Sequence, residues 1–235
     1  MREGETSVGT GLHDPVLDAI GLEIACGATP AGHVLTLDGI QKRFGVSRTV
    51  AREAMRVLES MGLVRSRRRV GITVQPAEAW NAFDPKVIWW RLSGSDRDAQ
   101  LRSLTELRIA VEPFAAGAAA LGASAAQRSR LVAVAAELRA LGGAADQDGF
   151  MERDVEFHTL LLRSGGNEMF AALADVVAAV LRGRTRLGLM PHRPAPEALD
   201  LHEDVARAVA EGLAERAEEA MRGLLAEVRA AMLPG

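Results

Sequence analysis

The sequence predicts a mostly α protein, an N-terminal winged helix-turn-helix followed by a C-terminal antiparallel all-α bundle of six or seven helices. Three observations predict it. Residues 34–76 hold two short amphipathic stretches joined by a glycine turn and followed by an arginine-rich hairpin pattern. From Arg97 to Leu233 apolar residues recur at three-and-four spacing with little interruption. Alanine is abundant, tyrosine is absent, and proline is scarce outside junctions. The expected domains are 1–76 for the winged helix-turn-helix, 77–96 for a junction and 97–235 for the bundle.

In the N-terminal part, Met1 to Gly11 reads as a mobile tail. Asp14 before Pro15 is a cap-then-proline start for a helix reaching Ala25, with Val16, Leu17, Ile20 and Ile24 inward. Thr36 is a candidate N-cap for a short helix whose apolar face is Leu37, Ile40 and Phe44. After the turn at Gly45, Ser47 caps a second helix with Val50, Ala51, Ala54, Val57, Leu58 and Met61 inward, and Gly62 stops it. Leu63-Val64 and Ile72-Thr73-Val74 read as two strands around Arg67, Arg68 and Arg69.

Charge gives this part a partner. Thr36 to Ile72 contains nine Lys/Arg against Asp38, Glu53 and Glu59, a net +6 in a chain of net −3. A basic stretch on an otherwise acidic chain suits a polyanion. Arg48, Thr49 and Arg52 fall at the exposed start of the second helix, the end that enters a DNA major groove in this motif. There an arginine can fork onto guanine or phosphate. A merely solvated helix face is the competing reading for any one arginine, and the full pattern disfavours it.

The segment GVSRTVAREAMRVLESMGLVRSRRRVGITV resembles the GntR family of bacterial regulators. The resemblance implies that Arg48 and Arg52 contact operator DNA and that Gly71 lets the wing approach the minor groove. The chain departs from the family at Asp38-Gly39, where a basic residue is frequent.

All three tryptophans lie in the junction, at 80, 89 and 90. Clustered aromatics here read as core or interface rather than a cofactor cage. The pattern W-N-x-x-D-P-x-V-x-x-W also resembles a GntR subgroup that controls galactonate and related sugar-acid genes. In the bundle, Leu101, Leu104, Leu107, Val111 and Phe114 form the first stripe. Ser124 and Gln127 form a capping box for a second helix ended by Gly142-Gly143. Further helices run over about 148–163, 167–189, 197–210 and 214–232, with a proline-rich loop at 191–196.

Asp154 and His158 lie four apart in ERDVEFH, on one helix face, and His202 sits near the start of a later helix. A carboxylate and two imidazoles on facing helices can hold a metal inside a bundle, although such a pair is common on surfaces. D-x-x-F-H followed by a later His resembles the FCD ligand domain of the FadR-type subfamily. The resemblance implies that Asp154, His158 and His202 hold a divalent cation, zinc first, with nickel and manganese as alternatives. The family's fourth ligand position carries Leu224. Arg108, four residues before Glu112, matches the family's pocket-facing arginine, and Arg182 is a second candidate for a carboxylate effector.

The single Cys26 excludes an internal disulfide framework, and the longest apolar run, 170–181, is too short to span a bilayer. A cytoplasmic protein without a membrane role is expected. The functional expectation is a homodimeric, non-enzymatic transcription regulator, a repressor on a pseudo-palindromic operator, released by a small carboxylate such as an aldonate. An acyl-CoA sensor is the alternative, disfavoured because an acyl chain wants an apolar tunnel. A metal-dependent hydrolase with Glu156 as base is weaker still, since Glu156 lies off the Asp154–His158 face.

Overall fold

A computed structural model describes residues 14–189 and 193–232. The tail expected over 1–11 and part of the 191–196 loop lie outside them. The chain forms two compact units, Met1–Asp96 and Arg97–Gly235.

The first unit contains α1 (Asp14–Ala25), β1 (Val34–Leu35), α2 (Leu37–Phe44), α3 (Arg48–Ser60), β2 (Val64–Arg67), β3 (Gly71–Val74) and α4 (Pro85–Leu92). Thr36 and Ser47 cap α2 and α3 by accepting from the Gly39 and Val50 amides. Gly45 ends α2 in the left-handed conformation at φ 64°. On α3 the buried residues are Ala51, Ala54, Met55 and Leu58, while Val50 and Val57 are only half-buried. Both still pack against the core, and Met55 joins them as an inward position. The sheet has a third strand that the sequence reading missed. Its order is β1-β3-β2, all antiparallel, with Val34 opposite Thr73 and Arg67 opposite Gly71. Two residues are too few to show a period of two. Gly71 has φ 112°, and a Cβ there would lie 2.8 Å from Val34 Cγ1. Packing of β3 on β1 therefore already demands glycine at this position.

The stretch 77–96, expected as a junction, belongs to the first unit. Val87 and Trp90 of α4 are buried in one core with Val16, Leu17 and Ile20 of α1. Asp84 caps α4 ahead of Pro85. Trp90 lies against α1 so closely that a Cβ on Gly21 would come within 2.4 Å of its ring. Gly21→Ala should therefore cost about 1–3 kcal/mol through overpacking, checked by urea denaturation of the full chain. An unchanged midpoint would contradict this packing.

The second unit contains α5 (Arg97–Gly122), α6 (Ala125–Ala144), α7 (Gln147–Ser164), α8 (Glu168–Ala172), α9 (Ala174–Arg186), α10 (Pro196–Glu211) and α11 (Ala214–Met232). Both hydrogen bonds of the Ser124–Gln127 capping box are present. Gly142-Gly143 does not end α6, which runs to Ala144 and stops at Ala145 with φ 58°. A Cβ on Gly142 would meet Pro194 at 2.7 Å, so this glycine serves close packing. The helix expected over 167–189 is broken at Leu173 into α8 and α9. Arg128 donates to the carbonyls of Ala120, Ala123, Val209 and Ala210, satisfying groups at the ends of α5 and α10.

The buried stripe of α5 also differs from expectation. It runs through Leu101, Leu104, Arg108, Glu112, Ala115 and Ala119, whereas Phe114 is exposed. Each of α5, α7, α9 and α10 places ionisable residues within its buried face, and α7 packs on both α5 and α9. Among the described residues no helix is long and apolar enough to cross a membrane.

Candidate nucleic-acid interface and candidate metal centre

In the first unit, α2, α3 and the β2–β3 wing enclose an open groove lined by Arg48, Arg52, Arg56, Arg67, Arg68 and Gly71. Arg48, Thr49, Arg52, Arg67, Arg68 and Arg69 are all exposed. Arg48 Nη1 donates to Asp38 Oδ1 at 2.8 Å, so one of the expected reading residues is held by an acid of α2. Arg52 has no ion pair among the described residues. Arg69 sits at φ 66° at the tip of the wing. Glu59 accepts from both the amide and the hydroxyl of Ser66, at 2.6 and 3.1 Å, tying the end of α3 to β2. The sequence reading did not single out this latch, and nothing in the spacing of the two residues signals it.

In the second unit, Asp154, His158 and His202 come together as expected. One ligand atom from each lies within 4.8 Å of the others, and all three residues are buried. His202 Nδ1 is 2.6 Å from the Ala198 carbonyl. A carbonyl only accepts, so Nδ1 carries the hydrogen and Nε2 is left facing Asp154 Oδ1 at 3.2 Å. His158 Nε2 is 3.4 Å from the same oxygen, and its Nδ1 is 2.6 Å from Glu112 Oε2. The Phe157 ring stands edge-on to both imidazoles, at 5.6 and 4.9 Å, and helps fix them. Two imidazole nitrogens thus converge on one carboxylate oxygen, with the Glu112 carboxylate near the far nitrogen of one ring and the Ala198 carbonyl at that of the other. This donor set fits a divalent cation with borderline preference. Leu224, at the position of the missing fourth ligand, lies in the apolar core and offers no donor atom.

The charges around the cluster are coupled. Burial alone would push the His158 pKa down; the Glu112 charge opposes this, and with Asp154 lifts it to about 9 against the repulsion of Arg108. Burial would raise Glu112, but Arg108 and His158 hold it at about 2. Asp154 is likewise held far below the ordinary carboxylate range, the two imidazoles outweighing burial. His158 is raised above its ordinary 6.5, so in chelator-treated protein its stabilising contribution is complete below pH 6.5 and disappears as pH rises through about 9. A cation must displace that proton. Its apparent affinity should therefore climb by about tenfold per pH unit up to about pH 9 and then level off, as read by competition with a chelating dye. A flat profile between pH 6.5 and 9 would contradict this.

The two arginines expected to hold an effector lie in different surroundings. Arg108 is at the cluster, but its guanidinium is engaged: Nε donates to Glu112 Oε1 at 2.6 Å and Nη2 to Glu112 Oε2 at 3.4 Å. It is a buried pair, not an open fork. Arg182 is not at the cluster. Its side chain is 39 % exposed and pairs with Glu152 on the surface. Arg184, two residues on, is the buried one, at 4 %. The apolar stripe Val177, Ala178, Leu181 of α9 continues to Arg184 and not to Arg182, a signal that the sequence contains. Glu156 is held in a network with Arg130 and Arg153, away from the cluster.

A winged helix-turn-helix with a basic groove, joined to a helical unit with a metal-competent centre, defines a DNA-binding regulator with a sensing domain. Residues 12–74 match the bacterial regulatory proteins of the gntR family, and residues 103–227 match the FCD domain. The chain belongs to the GntR family of transcription regulators that carry an FCD domain. It is similar to the uncharacterized HTH-type transcriptional regulator YieP of Escherichia coli, 28 % identical over 78 % of this chain and 79 % of that protein. It is also similar to the galactonate operon transcriptional repressor of Escherichia coli, 25 % identical over 91 % and 93 %. Among solved structures, a GntR protein of Streptococcus agalactiae aligns with a TM-score of 0.52 at 22 % identity, over 93 % of this chain and all of that one. That likeness supports the fold.

Proposed function

We propose that the protein is a homodimeric repressor of genes for sugar-acid or other carboxylate metabolism. It binds a pseudo-palindromic operator through α3 and the wing and leaves it when a small carboxylate enters the second unit. The observation that carries this reading is the buried Asp154–His158–His202 cluster on α7 and α10, set beside buried arginines within the bundle. Zinc suits three such ligands, with nickel and manganese as alternatives. When bound, the cation supplies a Lewis-acidic centre for oxygen ligands, such as the carboxylate and hydroxyl of a 2-hydroxy acid. Arg108 neutralises Glu112, Glu112 and the Ala198 carbonyl orient the imidazoles, and Phe157 keeps the rings dry and fixed. The likeness to the galactonate operon repressor favours an aldonate as effector. Effector binding must favour a dimer whose recognition helices no longer match the half-site spacing.

Competition tests the reading. Purified protein on a labelled operator should be released by D-galactonate or a related aldonate at millimolar concentration or below. Release by a fatty acyl-CoA with no response to aldonates would overturn the carboxylate assignment.

A further inference from the structure

Arg184 serves neither the DNA-reading surface nor the metal-holding cluster. It is 4 % exposed, its Nε has no hydrogen-bond partner among the described residues, and no carboxylate pairs with it there. Burial of an ionised guanidinium without a counter-charge is strongly unfavourable, so such a residue persists for a reason other than stability. Its place in the fold supplies one. The inward stripe of α9 is Ala174, Val177, Ala178 and Leu181, and Arg184 lies one turn further along the same face. That face packs against α7 and α5, the helices that carry Asp154, His158, Arg108 and Glu112. Arg184 feels both Arg108 and Asp154 electrostatically; burial first, then the Arg108 charge, lower its pKa to about 10, and it stays charged at neutral pH.

The charge balance of the interior is then one-sided. Arg108 is satisfied by Glu112 through a 2.6 Å hydrogen bond. Asp154 is taken by the imidazoles and by any cation they hold. Of the described carboxylates Asp154 acts on Arg184 electrostatically without an ion pair to it, and a divalent cation would add further positive charge nearby. A small anion would balance this charge next to the apolar cluster of Val155, Val177 and Leu181.

We propose that Arg184 is the anchor for the effector's carboxylate, an anion-binding position on α9 beside the Asp154–His158–His202 cluster. A planar guanidinium fork matches a carboxylate through two parallel hydrogen bonds. The proposal rests on the effector reading above and moves the anion-binding role from Arg108 and Arg182 to Arg184.

The test uses full-length, metal-loaded protein with acetate, D-galactonate, inorganic phosphate and the uncharged polyol galactitol as probes. Binding is read by calorimetry and thermal melting. Wild type should bind acetate or galactonate but not galactitol. Arg184→Met should bind the carboxylates roughly 10- to 100-fold more weakly, with unchanged metal content. Its melting temperature without ligand should equal or exceed that of wild type, because a buried uncompensated charge has gone. Arg184→Lys should stay folded and bind at least about tenfold more weakly, since it lacks the fork. Arg182→Met should behave as wild type. Unchanged carboxylate affinity in Arg184→Met overturns the proposal, as does preference for phosphate or binding of no anion by wild type. Loss of the fold in both Arg184 variants also overturns it, by showing a structural cation. Operator release is measured separately. Arg184-dependent carboxylate binding without release leaves the anion position standing and removes the effector reading.

Discussion

Asp154→Ala is expected to strip the second unit of its cation and of effector response while leaving operator binding in place. Asp154 Oδ1 is the atom both imidazoles face, at 3.2 and 3.4 Å, so its removal takes away the anionic ligand of a three-ligand set. Two histidines alone should leave the metal content near zero after dialysis, against about one equivalent per chain in wild type. Stability should fall as well. The buried arginines 108 and 184 then have Glu112 alone as a neighbouring carboxylate. Breaking a buried charge cluster by deleting one partner typically costs about 3–5 kcal/mol. Asp154→Asn separates the two effects, because it preserves volume and removes the charge. Elemental analysis of untagged protein and a thermal melt check both, and full metal retention by Asp154→Ala would remove the cluster as the metal centre.

The second large effect is expected at Arg52. It is exposed at the first turns of α3, inside the groove formed with the wing, and is not held by an acid as Arg48 is by Asp38. Arg52→Ala should weaken operator binding by about 1–3 kcal/mol and relax sequence preference at one base position. Arg68→Ala, on the wing, should weaken binding to operator and random DNA alike and flatten the salt dependence. Asp38→Ala should act in the opposite direction by freeing Arg48. Equal loss for operator and random DNA in Arg52→Ala would show a phosphate contact in place of a base contact.

The N-terminal unit was largely legible because its signals are local. Caps at Thr36 and Ser47, the glycine turn and the α3 face each follow from neighbours a few residues apart. β1 escaped because two residues carry no periodicity, and the packing of α4 on α1 escaped because Trp90 finds its partner, Gly21, far away in the chain. In the bundle, helices were legible and their inward faces were less so. An apolar reading of α5 placed Phe114 inside and left Arg108 and Glu112 out of the first stripe. The true stripe passes through both, because each cancels the other's charge and the helix still packs. The same holds on α9. Arg182 has the more polar surroundings, yet Arg184 continues the buried face of α9. Asp154, His158 and His202 were recovered because the resemblance named them, and their geometry then follows from α7 and α10 carrying them on buried faces. Ionisable residues in an apolar stripe are the signature that sequence hydrophobicity hides.

The helical unit must act on DNA binding through a difference in effector affinity between operator-bound and free states, since a ligand indifferent to the two shifts nothing. The most direct measurement is fluorescence anisotropy of a labelled operator complex titrated with D-galactonate, for wild-type protein as purified, after chelation, and after chelation with zinc restored. Release by the aldonate in the first and third samples, and none or at least about tenfold weaker response in the second, is the expected result. Equal release in all three, or none in any, would contradict control of the operator by a cation-centred carboxylate site.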